Sequence, residues 1–422
     1  MPEISRNKKC GLSPVLLLHH SAMRALALLL ALFLSFPVAA QAPAPASGKA
    51  RVEALLRERP DDPALWFYLA RYDALAGDAK ACVDALGKVD ALGDGFLPSR
   101  GIGFEKVWND RAFQAMLAKL GSRLPRLDYA PTVFELQDRG LLPEGIAFDA
   151  PSNTFFVGSV AEHKIVRIDA SRQVSDFASG VGLDAVLGVA VDSPRRHLYA
   201  VSTSFVSEPG KKPYRNAIFQ FDLVTGRLLH RFDIPQAVQL NDVAIASGGR
   251  IYTTDTETGA VFEVSEKAEP RVVLAAGRVR GSNGIAASPD GKRLYVAHAT
   301  GIVTIDLVTG EAKPLAAPPR ANVAAIDGLY QWQGMLIGVE NVTNPGRVIA
   351  MALSSDGLAI EKVTTLLSHH HAALAEPTTG AIAPDGFYLL AATGLSHLRD
   401  DGTIDDPANI PRPLVVRVLL PR

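Results

Sequence analysis

One phrase recurs six times along this chain and sets its fold. It reads EGIAFDAPSNTFFVGS from Glu144, LGVAVDSPRRHLYAVS from Leu187, NDVAIASGGRIYTTD from Asn241, NGIAASPDGKRLYVAH from Asn283, DGLYQWQGMLIGVE from Asp327 and TGAIAPDGFYLLAAT from Thr379. Aligning Gly145, Gly188, Asp242, Gly284, Gly328 and Gly380 gives spacings of 43, 54, 42, 44 and 52 residues. Each repeat is a strand, a turn and a second strand, and often a third strand such as HKIVRID or GAVFEV follows. A four-stranded sheet repeated at this period cannot bury both faces alone, and stacking around a ring solves the problem. The sequence therefore predicts a mainly β chain dominated by a six-bladed β-propeller over residues 131–422. The strands TVFEL near Val133 and PLVVRVL near Val415 lie at its two ends, and pairing them in one blade closes the ring without an exposed edge. An open solenoid or a sandwich gives no reason for the even spacing.

Residues 50–122 carry a different texture. Leu65, Leu69, Tyr72 and Leu75 recur at intervals of three and four, the spacing of one helix face. Asp61-Asp62-Pro63 is a start signal, Gly77-Asp78 a stop and restart, and a second helix is expected from about Ala79 to Ala91. Trp66, Leu69, Ala70, Gly77, Cys82, Leu86 and Val89 resemble one tetratricopeptide repeat. A single such hairpin rarely stands alone, so it is expected to pack on the larger domain or on a protein partner.

Further upstream, Arg6, Lys8, Lys9 and Arg24 precede the apolar run Ala25 to Phe36, Pro37 and the small residues Val38-Ala39-Ala40. This is the layout of a secretory signal over residues 1–40, followed by a linker at 41–49. The run is too short to span a bilayer, so the mature chain is expected to be exported, periplasmic or secreted, with no stable membrane span. Its removal leaves 39 basic against 43 acidic residues, from 43 and 44 in the full chain. That balance, with no Lys/Arg stripe, excludes nucleic acid as a partner. Cys82 is left without a second cysteine, which excludes a disulfide scaffold.

The residues just before the aligned column are Glu144, Leu187, Asn241, Asn283, Asp327 and Thr379. Four of the six are acids or amides and none is basic. In a propeller these positions share one height and converge on the channel mouth, where two carboxylates and two amides make a hard-oxygen cage. Such donors suit one divalent cation, with Ca²⁺ first and Mg²⁺, Mn²⁺ or Zn²⁺ admissible. Asn-Asp, Asn-Gly and Asp-Gly also favour turns, but Gly248-Gly249, Asp290-Gly291 and Asp385-Gly386 already supply the hairpins of these repeats.

On Pro143-Glu144-Gly145, Leu240-Asn241-Asp242, Ser282-Asn283-Gly284 and Ile326-Asp327-Gly328, the repeats resemble the gluconolactonase family, which includes regucalcin (senescence marker protein). The resemblance covers about Thr132 to Leu420. It implies that Glu144, Asn283 and Asp327 bind the metal, that Asp327 is also the general base, and that Asn241 contacts substrate or water. The implied chemistry is hydrolysis of a small lactone or ester. The chain departs from the family at Gln239, where sugar-lactone members carry a substrate-binding Arg, and at His298, where relatives often have an acid.

Two loops could tune access: SHHHAALAEPTTG, with His369, His370, His371 and Glu376 overhanging the channel as a lid, supplying a proton or lying in solvent, and SFVSEPGKKPYRNA, with Lys211, Lys212 and Arg215 near Tyr214, as an exposed excursion or at most an anion-attracting rim. No G-x-S-x-G elbow and no phosphate-cradling glycine loop is present. The competing reading is a non-catalytic propeller that binds a ligand or, through the helical hairpin, a protein.

Overall fold

The computed structural model describes residues 48–399 and 401–421. The signal and most of the linker read from the sequence lie outside the described residues.

The ring has six four-stranded antiparallel sheets. Five are meanders in simple chain order, with innermost strands Pro143–Asp149, Ala185–Asp192, Leu240–Ile245, Ile285–Ala287 and Ile326–Trp332. The sixth has its innermost strand at Gly380–Ala383 and takes its outermost strand, Thr132–Glu135, from the other end of the propeller. Thr132 pairs with Val416 and Glu135 with Leu414, so the end-to-end strand pairing expected from the sequence closes the circle. Each blade alone is a marginal sheet with two faces to cover. Stacking buries them: Phe155 of the first blade packs against Tyr388 of the sixth with ring centroids 4.8 Å apart.

Local chemistry fixes the hairpins. The DLVTG segments beginning at Asp222 and Asp306 connect third and fourth strands in two blades. In each, the Asp Oδ1 accepts from the backbone N–H groups two and three residues on, and a glycine at positive φ, Gly226 or Gly310, completes the turn. The 54-residue spacing of the second repeat comes from an excursion between its second and third strands that includes the short helix Ser204–Ser207. Arg215 pairs with Asp184 and Glu208 and Lys211 with Glu208, while Lys212 lies over the Tyr214 ring, 6.0 Å from its centroid.

The first helices run α1 Gly48–Glu58, α2 Pro63–Ala76, α3 Ala79–Leu92 and α4 Arg111–Gly121. Asp62 caps α2, accepting from Ala64 and Leu65 N–H, with Pro63 in the first turn. Gly77, at φ 84°, ends α2, and Asp78 caps α3. Cys82 is buried in this core, and burial pushes its thiol up to about 12. The unit packs onto the propeller. Phe67, Tyr68 and Phe96 share one apolar cluster with Ala299, Ala324, Ala325 and Val342 of the fourth and fifth blades. Tyr68 O–H donates to the Ala299 carbonyl at 2.8 Å. None of the helices among the described residues is long and apolar enough to cross a membrane.

Candidate active site

Four of the six innermost strands carry a bulge at the motif positions. Pairing slips between Pro143 and Ile146, Val186 and Val189, Leu240 and Val243, and Ile326 and Leu329. A bulge sets two residues against one and re-aims the side chains beside it. Glu144, Asn241 and Asp327 each sit inside such a slip, whereas Asn283 immediately precedes the short strand of the fourth blade. The recurring dipeptides are thus strand irregularities, and the separate turns at Gly249 and Gly291 close the hairpins, with their N–H groups donating to Ala246 and Ser288.

The aligned glycines allow neighbouring inner strands to approach. A Cβ on Gly284 would press into the Asp327 carbonyl and lie 2.5 Å from the Leu329 nitrogen, and one on Gly188 would lie 2.7 Å from the Cα of Asp242. Neighbouring blades also exchange bonds at the mouth. The hydroxyls of Thr378 and Thr379 donate to the Glu144 carbonyl at 3.0 and 2.5 Å, and Thr254 and Thr256 donate to the carbonyls of Asn283 and Ser282, both at 2.8 Å.

Glu144, Asn241 and Asp327 are buried. Asn341 Nδ2 donates to Asp327 Oδ2 at 2.6 Å and to the Pro377 carbonyl at 2.9 Å, and the Asn283 side chain also hydrogen-bonds to Asp327. Asn241 Nδ2 donates to Thr256 Oγ1 at 2.9 Å. Asn341 and Thr256 each directly follow the second strand of their blade, so that register braces the mouth residue beside it.

Sequence reasoning missed Asp242 as a site residue. It is buried, and its carboxylate accepts from Val243 N–H at 2.8 Å and Ile285 N–H at 3.3 Å. Burial nonetheless pushes it up to about 7, with Asp327 adding to the shift. Glu144 is pushed well above the ordinary carboxylate range, first by burial and then by Asp327 and Asp242. Asp327 is raised by burial against the lowering effect of its Asn341 and Asn283 hydrogen bonds. The signal was present: Asp242 is the only residue in the aligned column that is not glycine. Tyr330 was also missed; it is raised by burial, Asp242 and Glu144, and its hydroxyl accepts from Gly380 N–H at 2.8 Å.

These donors fit a hard divalent cation. Glu144 Oε2 and Asn241 Oδ1 are buried oxygens with no hydrogen-bond donor, an arrangement that costs free energy unless a positive charge satisfies them. Among the described residues no three Asp, Glu, His or Cys side chains form a metal cluster by themselves, so any cation here would take amide oxygens as well. The Gln239 side chain is buried with both amide atoms unpartnered.

Residues 142–337 match the family model described as the SMP-30/Gluconolactonase/LRE-like region. That stretch takes in the first four blades and the start of the fifth. Solved structures similar to the chain include a gluconolactonase from Xanthomonas campestris, 15% identical, covering 69% of this chain and 91% of that one with a TM-score of 0.47. The calcium-binding protein regucalcin from Agrobacterium tumefaciens is 20% identical, covering 71% and 98%, TM-score 0.45. The PQQ-bound aldose sugar dehydrogenase from Streptomyces coelicolor is 17% identical, covering 70% and 100%, TM-score 0.49. No curated protein matches the chain.

Around the mouth of this gluconolactonase-like propeller, the histidine loop is tied down. Ser368 Oγ bonds His370 Nδ1 at 2.9 Å, His371 Nε2 donates to the Ala130 carbonyl at 2.9 Å, and the His369 and His370 rings lie 4.0 Å apart. These histidines hold the loop in place; it is Glu376, farther along it, that lines a cavity with Glu144. His298 is instead a partly buried residue, lowered to about 4 by burial and then by Arg59.

Proposed function

We propose that the chain is an exported hydrolase of small lactones or esters, with one divalent cation, Ca²⁺ first, held by Glu144, Asn283 and Asp327. The observation that carries this reading is the pair of donor-free buried oxygens, Glu144 Oε2 and Asn241 Oδ1, among carboxylates that burial drives toward protonation. The match of residues 142–337 to a family model whose description names gluconolactonase supports the chemistry, and the basic, apolar leader supports export. A bound cation supplies polarisation of the acyl carbonyl and compensation of the charge that builds on its oxygen.

The chain's own residues do the rest. Asp327, oriented by Asn341, takes the proton from the attacking water as its oxygen bonds to the acyl carbon. The bond between the acyl carbon and the ring or ester oxygen then breaks, and that oxygen leaves with the proton Asp327 took from the water. Asn241, fixed by Thr256, orients the water or the substrate oxygen, and Gln239 offers an unpartnered amide to the substrate.

The test is a panel of lactones and aryl esters with the purified chain, with and without chelator. Chelator-sensitive turnover is expected, and Asp327→Asn should lower kcat by roughly 10²- to 10⁴-fold. Turnover indifferent to chelator, or unchanged in the variant, would overturn the cation or the base assignment respectively.

A further inference from the structure

A cavity of about 180 Å³ lies against Glu144 and Asn341, and part of its wall does not belong to the propeller. Ser99, Arg100 and Ile102 reach it from the connection between α3 and α4. That connection is held on the loop between the second and third strands of the fifth blade. Leu97 N–H donates to the Thr343 carbonyl, and Asn344 Nδ2 donates to the Gly95 carbonyl, both at 2.9 Å. The same loop carries Asn341, which orients Asp327. A second anchor is Arg320, which pairs with Asp94 at 2.8 Å.

Arg100 is the one cationic side chain lining this cavity among the described residues. Its guanidinium lies 4.6 Å from the centroid of the Trp108 ring. Stacking covers a face of the planar group and leaves the in-plane N–H donors along its edge for an acceptor. Glu376 also lines the cavity, but its carboxylate already accepts from Ser396 N–H at 3.2 Å and from the Thr393 hydroxyl at 3.4 Å. Ile102, Leu374 and Leu395 supply apolar wall. The volume is below the roughly 300 Å³ at which drug-sized pockets begin, so the ligand is small.

We propose that the α3–α4 connection roofs the substrate pocket and that Arg100 is a substrate-binding residue, pairing with a carboxylate carried by a small lactone or ester. This rests on the hydrolase reading above. The substrate then spans the cavity, with its acyl group toward Glu144 and Asp327 and its carboxylate at the guanidinium, whose paired donors match the two carboxylate oxygens. A neutral analogue of the same shape loses that contact and nothing else.

The experiment compares the full chain with Arg100→Ala and Arg100→Lys on a five-membered lactone bearing a carboxylate substituent and on its carboxamide counterpart. For the carboxylate compound, Arg100→Ala should raise KM roughly 10- to 100-fold with little change in kcat, the range for a charge-assisted hydrogen bond. Arg100→Lys should recover part of the loss, and the carboxamide, which offers one neutral acceptor in place of a charged pair, should lose several-fold less than the carboxylate. Binding is measured separately with 3-oxocyclopentanecarboxylate, a carbocycle that cannot be hydrolysed, and should weaken by a similar factor in Arg100→Ala. Mn²⁺ titration should be the same in all three proteins. Equal effects on both lactones, or equal carbocycle binding by parent and variant, overturn the proposal. Arg100-dependent carbocycle binding without any turnover would sink the hydrolase reading and leave the roof standing; chelator-sensitive turnover indifferent to Arg100 would do the reverse.

Discussion

Asp242 sits near 7 where an exposed aspartate titrates near 3.8, because the folded chain holds its carboxylate out of water. Between those values the folded state keeps a proton that the unfolded state has released. The unfolded chain binds fewer protons there, so stability falls as pH rises through this window. Glu144 and Asp327 shift in the same direction. The chelator-treated protein should therefore be more stable at about pH 5 than at about pH 8, by a few kcal/mol. A cation replaces those protons, so the rise in Tm on adding Ca²⁺ should be larger at about pH 8. Thermal unfolding with chelator and with Ca²⁺ at both pH values checks this, and a chelated protein that is more stable at the higher pH would count against it. Glu144→Gln, which keeps the shape without the charge, should shrink the Ca²⁺ increment and raise the stability of the chelated protein at about pH 8.

At the scale of the strand, the bulge and the glycine act together. The bulge turns Glu144, Asn241 and Asp327 away from the regular ladder, and the column's glycines, such as Gly145, Gly188 and Gly284, keep the next blade's backbone close. Gly284→Ala puts a methyl group against the Asp327 carbonyl and the Leu329 nitrogen, both backbone atoms that cannot swing aside. Such overpacking should cost about 1–3 kcal/mol or more. A lower urea midpoint with an unchanged slope is the expected result. Gly248, in a hairpin turn where a Cβ would meet nothing within 4 Å, separates the two effects. Its φ is 87°, so Gly248→Ala should lose stability through backbone strain alone and leave cation binding intact.

The helices and the ring share a core, so the whole molecule is expected to unfold as one unit. Phe96 lies in the α3–α4 connection, fully buried, with its ring 5.8 Å from that of Phe67 and in the same cluster as Ala324 and Val342. Phe96→Ala should cost about 3–5 kcal/mol, and it should lower the melting of helices and propeller together. Calorimetry and far-ultraviolet circular dichroism followed through the same melt measure this. Two separated transitions, with only the helical one moved, would mean the units fold independently.

The sequence by itself determined the six-fold repeat, the ring closure between Val133 and Val415, the caps at Asp62, Gly77 and Asp78, and the register that brings Glu144, Asn241, Asn283 and Asp327 to one end of the channel. These follow from local periodicity and turn chemistry, which each residue carries with it. Tertiary structure decided the remainder. A bulge is a mismatch between two strands, so neither strand alone records it, and the raised carboxylates of Glu144, Asp242 and Asp327 exist only where three separate blades exclude water together. Asn341 lies 99 and Arg100 lies 142 residues from Asp242, and Asp242 lies 98 residues from Glu144. No periodicity links positions that far apart with different registers; the closed ring brings Glu144, Asp242 and Asn341 to one end, and docking of the helical unit on the fifth blade adds Arg100.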